Sequence, residues 1–310
     1  MNKFQRSWLL FKSSITVILH NKILLVFPVL TVCLTLPILG FFIAPIAFQQ
    51  TGYRLSQPEH WKAVGQSLGV ENTSTRNGHR TSVSFQPKPV VIICTTAVYF
   101  VSMFLATFFN VAFYSEILAA LKGDSVSIQR GLAFACSKWW SILLWSAFAG
   151  LIGYLIRQLE ERMNFLGRII VGLIGTAWSV ACIFVIPVLV SENETVNPLQ
   201  ILKKSAQILT KTWGESLIGY AGIQFGGTIV MLGSLLLLGG SIAAAIAFHM
   251  FWLIGLAVLM WFICICAWSY VIGVASQVYR CALFLYASEG VIVEPYNEDL
   301  LNMAWKVKDS

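Results

Sequence analysis

Apolar residues crowd into six long runs, at 23–48, 90–121, 139–156, 166–190, 217–238 and 251–273, with polar stretches between most of them. A helix rises about 1.5 Å per residue and the hydrocarbon core is roughly 30 Å thick, so about 20 residues cross it. Lipid offers the backbone no hydrogen-bond partner, and a helix satisfies its own groups segment by segment. The pattern predicts an all-α, polytopic transmembrane helical bundle of about six spans. The last apolar stretch, 241–287, exceeds one span. It is read as an outer connection over 241–249, a span over 251–273, and a helix continuing past the membrane. Gln277 and Arg280 then stand at the cytoplasmic headgroup level. The alternative, a seventh span over 267–288, would bury Arg280 at a cost of roughly 2.5–3.5 kcal/mol.

A second pattern precedes three of the spans. Phe4, Trp8, Phe11, Ile15 and Ile18 recur at steps of three and four, as do Ile128, Leu132, Ala135 and Trp139, and Leu199, Leu202, Ala206, Leu209 and Trp213. Such spacing makes one apolar stripe on a helix. Each stretch is basic, as befits a helix lying in the membrane interface with its cations toward headgroups. Trp8, Lys12, Trp139, Lys204, Lys211 and Trp213 are the expected interfacial anchors. Asn197 and Pro198 form a helix start signal, a side-chain cap followed by a first-turn proline. Three helix–span–span units follow, a weak threefold repeat. The chain reads as a single membrane domain, 1–310. It comprises an N-terminal amphipathic helix (1–22), an extracytoplasmic insert (49–89), interfacial helices at 122–138 and 196–213, and a C-terminal tail (288–310). The insert reads as loop and short helix.

Composition agrees with a membrane protein: 57% of residues are hydrophobic, 11% are charged, and the mean hydropathy is +0.75. The net charge of +7 sits in short loops and flanks, where it contacts anionic headgroups, and is no nucleic-acid signal. Lys3, Arg6, Lys12 and Lys22 precede the first span with no acid among them, which places both termini in the cytoplasm for an even span count. The remaining loops do not strengthen that orientation, since Lys and Arg are equally dense on the two sides. The first run is too long for a signal-peptide core and has no cleavage site after it, so it reads as an uncleaved anchor. The seven cysteines are scattered through apolar positions as small hydrophobes.

Candidate chemistry is sparse. Asn110 and Gln224 lie within spans, and Glu116 and Arg280 fall at similar depth near the inner end, so a Glu116–Arg280 ion pair is expected as a clamp between helices. Gly222 and Gly226, and Gly172 and Thr176, have the small-xxx-small spacing of close helix packing; a discontinuous fifth helix is the sharper alternative. Pro28, Pro37, Pro45 and Pro187 are candidate kinks. Arg157, Glu160, Glu161, Arg162 and Arg168 read as a solvated outer loop. No metal site, cofactor motif or catalytic constellation is recognisable, and an enzyme is not expected.

Three stretches carry a resemblance: FFNVAFYSEILAALKGDSVSIQRGL, LIRQLEERMNFLGRIIVGLIGTAWSVACIFVIPVLVSE and NPLQILKKSAQILTKTWGESLIGYAGI. They are similar to a widespread bacterial family of integral membrane proteins of unknown function, over about residues 4 to 290. SENETVNP departs from that family's short acidic-Gly-Pro turn. The resemblance implies a bacterial inner-membrane protein of six helices and brings no catalytic residues. Two functions stand open. One is a structural or accessory component that binds a protein partner or organises lipid, with membrane lipids and a membrane-protein partner or second copy as its partners. The other is a channel or carrier for an ion or lipid-like small solute, with Asn110, Glu116 and Gln224 lining a polar tunnel.

Overall fold

The computed structural model of the chain describes residues 3–73, 82–85, 88–192, 197–211, 216–248, 250 and 252–296, with side chains except at 3–8, 70–87 and 211–229. Helix α1 (Lys3–His20) passes through a 3-10 turn, Lys22–Leu25, into α2 (Val26–Ala47). The insert holds α3 (Pro58–Leu68) and a two-stranded antiparallel hairpin, β1 (Val70–Thr73) and β2 (Ser82–Phe85). The chain continues through α4 (Pro89–Leu121), α5 (Ile128–Ser137), α6 (Trp139–Arg162), α7 (Phe165–Ala181), α8 (Val185–Ser191), α9 (Pro198–Lys211), α10 (Ser216–Ala247) and α11 (Trp252–Glu289). Among the described residues, six helices are long and apolar enough to cross a membrane, and the molecule is an all-α multi-pass bundle. The small hairpin was not expected. Within the insert, His60 is 2% exposed and lies 2.8 Å from the Ala47 carbonyl, fastening α3 to the end of α2.

Two boundaries differ from the sequence reading. Helix α10 runs on to Ala247, so residues 241–247 of the predicted connection are helix. The run Ile242–Ala247 is Ala-rich, contains no Gly or Pro, and continues the helix. Helix α11 is a single 38-residue rod, about 57 Å long at helical rise. It extends past a membrane thickness rather than turning back as a seventh span.

The elements repeat as arm, outgoing span, return span: α1–α2–α4, α5–α6–α7/α8 and α9–α10–α11. Each outgoing span packs on its own return span, α2 on α4, α6 on α7 and α10 on α11. Each arm packs instead on the return span of the preceding unit, α5 on α4 and α9 on α7 and α8. The first arm, α1, closes the ring by packing on α11, with α10 beside it. The return spans meet inside this ring, where α4 touches both α8 and α11. Most of the core lies at the arm end. On α4 it begins at Thr107 and on α11 at Ile272, and the α8 residues Val185, Val188 and Leu189 join it. Toward the other end the spans stay exposed.

The fully buried face of each arm overlaps the predicted stripe in Ile18, Ala135 and Leu209. The stripe residues Phe11, Ile15, Ile128, Leu132 and Leu202 pack partly buried against the core, but the centre of the buried face lies to one side of the stripe. On α1 the buried positions are Leu10, Ser13, Ser14, Val17 and Ile18; on α9 they are Ile201, Ser205, Ile208 and Leu209; on α5 they are Gly131 and Ala135. The spacing Leu10-Ser14-Val17-Ile18 recurs as Ile201-Ser205-Ile208-Leu209, and Gly131 and Ala135 fall at the second and fourth places. Small residues win the buried face because they let the arm cross a return span closely. A side chain at Gly131 would begin 2.8 Å from the Ala112 carbonyl oxygen. Large stripe residues such as Leu199 and Trp139 are left more than half exposed.

The fourth span is broken. Pro187 has no N–H for the Ile183 carbonyl and its ring crowds that turn, and α7 ends at Ala181 before α8 begins at Val185. Tight bonds from Ile183 to Val180 and from Val185 to Cys182, each 3.2 Å, carry the chain across. Ser205 of α9 closes the gap: its hydroxyl donates to the Ala181 carbonyl at 2.6 Å and accepts from the Phe184 N–H at 3.2 Å. The discontinuity thus falls here and not in the glycine-rich fifth run, where α10 is continuous. Removing that hydroxyl strands a buried donor, which costs about 1–3 kcal/mol. Ser205→Ala should therefore lower stability by that amount in a denaturant titration in mixed micelles, and Ser205→Thr, which keeps the hydroxyl, should lose less.

Candidate functional site

Glu116 is a junction between units. Its residue is 1% exposed, in the second half of α4. Oε1 accepts from Arg130 Nε at 2.9 Å, and Oε2 accepts from Arg130 Nη2 at 2.7 Å and from the Ser127 N–H at 2.7 Å. Ser127 is the N-cap of α5, so the carboxylate serves an orphan donor at a helix start, where the dipole also favours it. The same bond raises the Arg130 guanidinium above its ordinary pKa. The expected Glu116–Arg280 pair is therefore not formed; a clamp exists, but to the arm that follows α4. The comparable junction of the second unit uses Glu192, at the end of α8, whose carboxylate takes Lys204 and whose carbonyl takes Lys138. At the end of α11, Glu289 lies 3.6 Å from Lys122. Beyond it, the Ser14 hydroxyl of α1 meets the buried Tyr296 hydroxyl at 2.8 Å. Burial raises that phenol's pKa, and the Ser14 bond offsets part of the rise.

Where the return spans converge lies a cavity of about 370 Å³. Helix α4 contributes Asn110 and Tyr114, the α7–α8 break contributes Cys182 and Ile183, α8 contributes Ile186, and α11 contributes Ser276, Gln277 and Arg280. The α11 residues Gly273, Gln277 and Arg280 follow helical spacing down one face, and Asn110 and Tyr114 do the same on α4. Gly273 would meet nothing within 4 Å if it carried a side chain, so it leaves room above Gln277. The break matters to the cavity: an unbroken helix would carry its backbone past these positions fully paired. Asn110 and Arg280 thus come to one cavity, while Glu116 is committed elsewhere. Among the described residues, no group of three or more potential metal ligands forms.

The other sequence candidates are scattered. Gln224 lies among residues whose side chains are not described, as do Trp8, Lys211 and Gly222; Trp213 lies outside the described residues. Lys12 is exposed and Lys204 is paired with Glu192. Trp139 is 53% exposed beside Trp140, with ring centroids 5.3 Å apart. Gly172 has open space around it, so the Gly172–Thr176 pair is no packing site. Tight glycine contacts occur instead at Gly131 and at Gly150, whose added carbon would stand 3.1 Å from the Phe100 ring. The predicted charged outer loop is partly helix: Arg157 and Glu161 pair at 3.2 Å on α6. Sequence reasoning missed Arg130, Ser127 and Ser205. The N-cap signal of Ser127 before Ile128 was legible, and its neighbour Arg130 could have been weighed against Arg280.

The geometry defines a multi-pass helical membrane protein organised around three return spans, with a polar cavity between them. The chain belongs to the family of unknown function DUF6159, whose model matches residues 90–293. That match begins at α4, leaving the first arm, span and insert outside it. No curated protein and no solved structure matches the chain.

The clamp has a measurable signature. Arg130 is about half exposed, so screening limits the pair's worth to about 1–3 kcal/mol. A double-mutant cycle of Glu116→Gln with Arg130→Gln should return a coupling in that range, read from unfolding in mixed micelles. The same cycle with Arg280→Gln in place of the arm mutation should return nearly zero; coupling to Arg280 instead would restore the rejected pairing.

Proposed function

We propose that the protein is a non-enzymatic accessory component of the bacterial cytoplasmic membrane, with both termini in the cytoplasm, that organises lipid or holds a protein partner. The observation that carries this reading is the distribution of burial. No candidate span has more than 28% of its most apolar window buried, so the six spans keep a large apolar surface for lipid or a partner helix. The ring of arms, by contrast, supplies a packed and hydrogen-bonded base at one end. A scaffold needs that division between rigid base and open flanks. Interfacial placement of α1, α5 and α9 agrees with their basic composition.

A second reading, a carrier for an ion or lipid-like solute, draws on the cavity beside Asn110 and Arg280. Against a tunnel through Glu116 stands the commitment of that carboxylate to Ser127 and Arg130. Native mass spectrometry of the protein released from its own membrane separates the two. The accessory reading expects a bound second polypeptide or retained lipid and no flux in proteoliposomes. Solute flux that Asn110→Leu abolishes, with folding intact, would replace it by the carrier reading. Reporter fusions at residues 1 and 310 should both report cytoplasm; an outside signal from either terminus would overturn the orientation.

A further inference from the structure

We infer that α3, the helix of the insert, is an interfacial helix that seats Trp61, Leu55 and Tyr53 in the headgroup layer of the membrane leaflet opposite the arms. The inference goes beyond the accessory reading and does not depend on it. Its ground is where α3 is tied. Helix α2 leaves the arm end at Val26 and finishes at Ala47, whose carbonyl is one of the acceptors that a helix end leaves unpaired. The Nε2–H of buried His60 donates to that carbonyl at 2.8 Å, and His60 Nδ1 accepts from the Thr51 hydroxyl at 2.5 Å. Two turns further along α3, the Ser67 hydroxyl accepts from Gln49 Nε2 at 2.6 Å. Both turns of α3 are thus held to neighbouring residues just where the chain leaves the span, and the helix lies against the end of α2.

Helical rise places that end in the headgroup layer. The chain carries no charge from Ile23 to Tyr53, and a hydrocarbon core about 30 Å thick takes about 20 residues of that stretch. A core beginning at Ile23 leaves Ala47 about 6 Å past its far edge, and one beginning at Phe27 ends at Ala47. Headgroups add roughly 5–8 Å on each side, so both placements put the tie between α2 and α3 in that layer. The return span agrees. Phe27 stacks on Phe113 with ring centroids 5.5 Å apart, which sets α4 beside α2, and α4 begins at Pro89, level with Ala47 to within about one helical turn.

The faces of α3 match that position. His60 and Val64 are buried against protein. Glu59, Lys62 and Gln66, at steps of three and four, are exposed on the other side. Between these faces runs an uncharged flank of Trp61, Gly65 and Leu68, with Trp61 exposed. The indole N–H of Trp61 donates to the Leu55 carbonyl at 2.9 Å, so the ring needs no water partner and stands beside exposed Leu55. Tyr53 is exposed in the same loop. Tryptophan and tyrosine collect at membrane–water interfaces, and an interfacial helix turns an apolar flank to lipid and a charged face to water. Continuity decides for lipid over a protein partner: Phe41, Ile43 and Phe48, around the end of α2, are exposed on the span itself, and the patch extends that surface.

The test uses the full-length protein labelled with fluorotryptophan, in nanodiscs of phosphatidylcholine and phosphatidylglycerol, read by fluorine NMR. The Trp61 resonance is the one missing from Trp61→Phe, or from Trp61→Tyr should the first variant not fold. A nitroxide on the acyl chain close to the headgroup should broaden this resonance several times more than a nitroxide at the chain end or a gadolinium chelate in the water. Strongest broadening by the chelate would put the patch in water, and strongest broadening by the chain-end nitroxide would put it in the hydrocarbon. Broadening by none of the three would show it covered by protein. Each of these results overturns the inference.

Discussion

A backbone interrupted inside a membrane has to find its hydrogen bonds in protein, because lipid has none to give. Here a single hydroxyl answers that need. Pro187 breaks the fourth span, and Ser205, reaching in from an arm twenty residues downstream, both donates and accepts across the gap. The bond fixes α9 against α7 and α8, and through them fixes one wall of the central cavity. Much else depends on it: the position of Ile183 and Ile186, the approach of α8 to α4, and the seating of the third unit's arm.

Ser205 is also one member of a set. Ser14, Gly131 and Ser205 occupy the same place on three arms, each at a point where an arm crosses the return span of the unit before it. A large residue there would hold the arm away; the added carbon at Gly131 would already meet a carbonyl at 2.8 Å. At two of the three crossings a carboxylate near the end of the return span, Glu116 or Glu192, pins a cation on the arm. The third crossing uses the Ser14–Tyr296 bond instead. The units therefore share a packing geometry while differing in the polar chemistry that locks it. A ring assembled this way ties the first arm to the last span, so the packed end forms only when the chain is nearly whole.

The class of the protein was legible because a span announces itself by length and hydropathy, and those survive without knowledge of packing. The arms were legible for the same reason, as helical periodicity. The face each arm buries was legible in part, at Ile18, Ala135 and Leu209; its small members were not, since large apolar residues outweigh them in any reading by hydrophobicity. Glycine and serine were chosen for contact distance, a quantity that sequence spacing does not carry. Glu116 was read as a clamp matched to Arg280 by depth, when Arg130, fourteen residues away on the next arm, is its partner. The cavity itself could be seen only in part: Asn110 and Arg280 were noted as polar positions, but the break that opens space between them depends on Ser205, whose role is tertiary.

The same ring that builds the cavity also packs the helix segments on its arm side. Toward the arm end, the continuation of α4 below Asn110 is Val111 to Leu121, and that of α11 below Arg280 is Cys281 to Leu285; these positions are packed into the core, with Ile117, Ala282 and Leu285 at most 1% exposed. Glu116, at that level, is held by three hydrogen bonds and faces an arm. Asn110, Gln277 and Arg280 line the cavity, and the α4 and α11 positions on its arm side are mostly apolar and buried. The polar groups described at that end, Glu116, Ser205 and the Ser14–Tyr296 pair, are each engaged in contacts between an arm and the rest of the bundle. That contrast ties the lipid-facing flanks and the closed base to one physical role: the packed end gives the cavity its rigid walls, and the exposed spans leave its approach to the membrane.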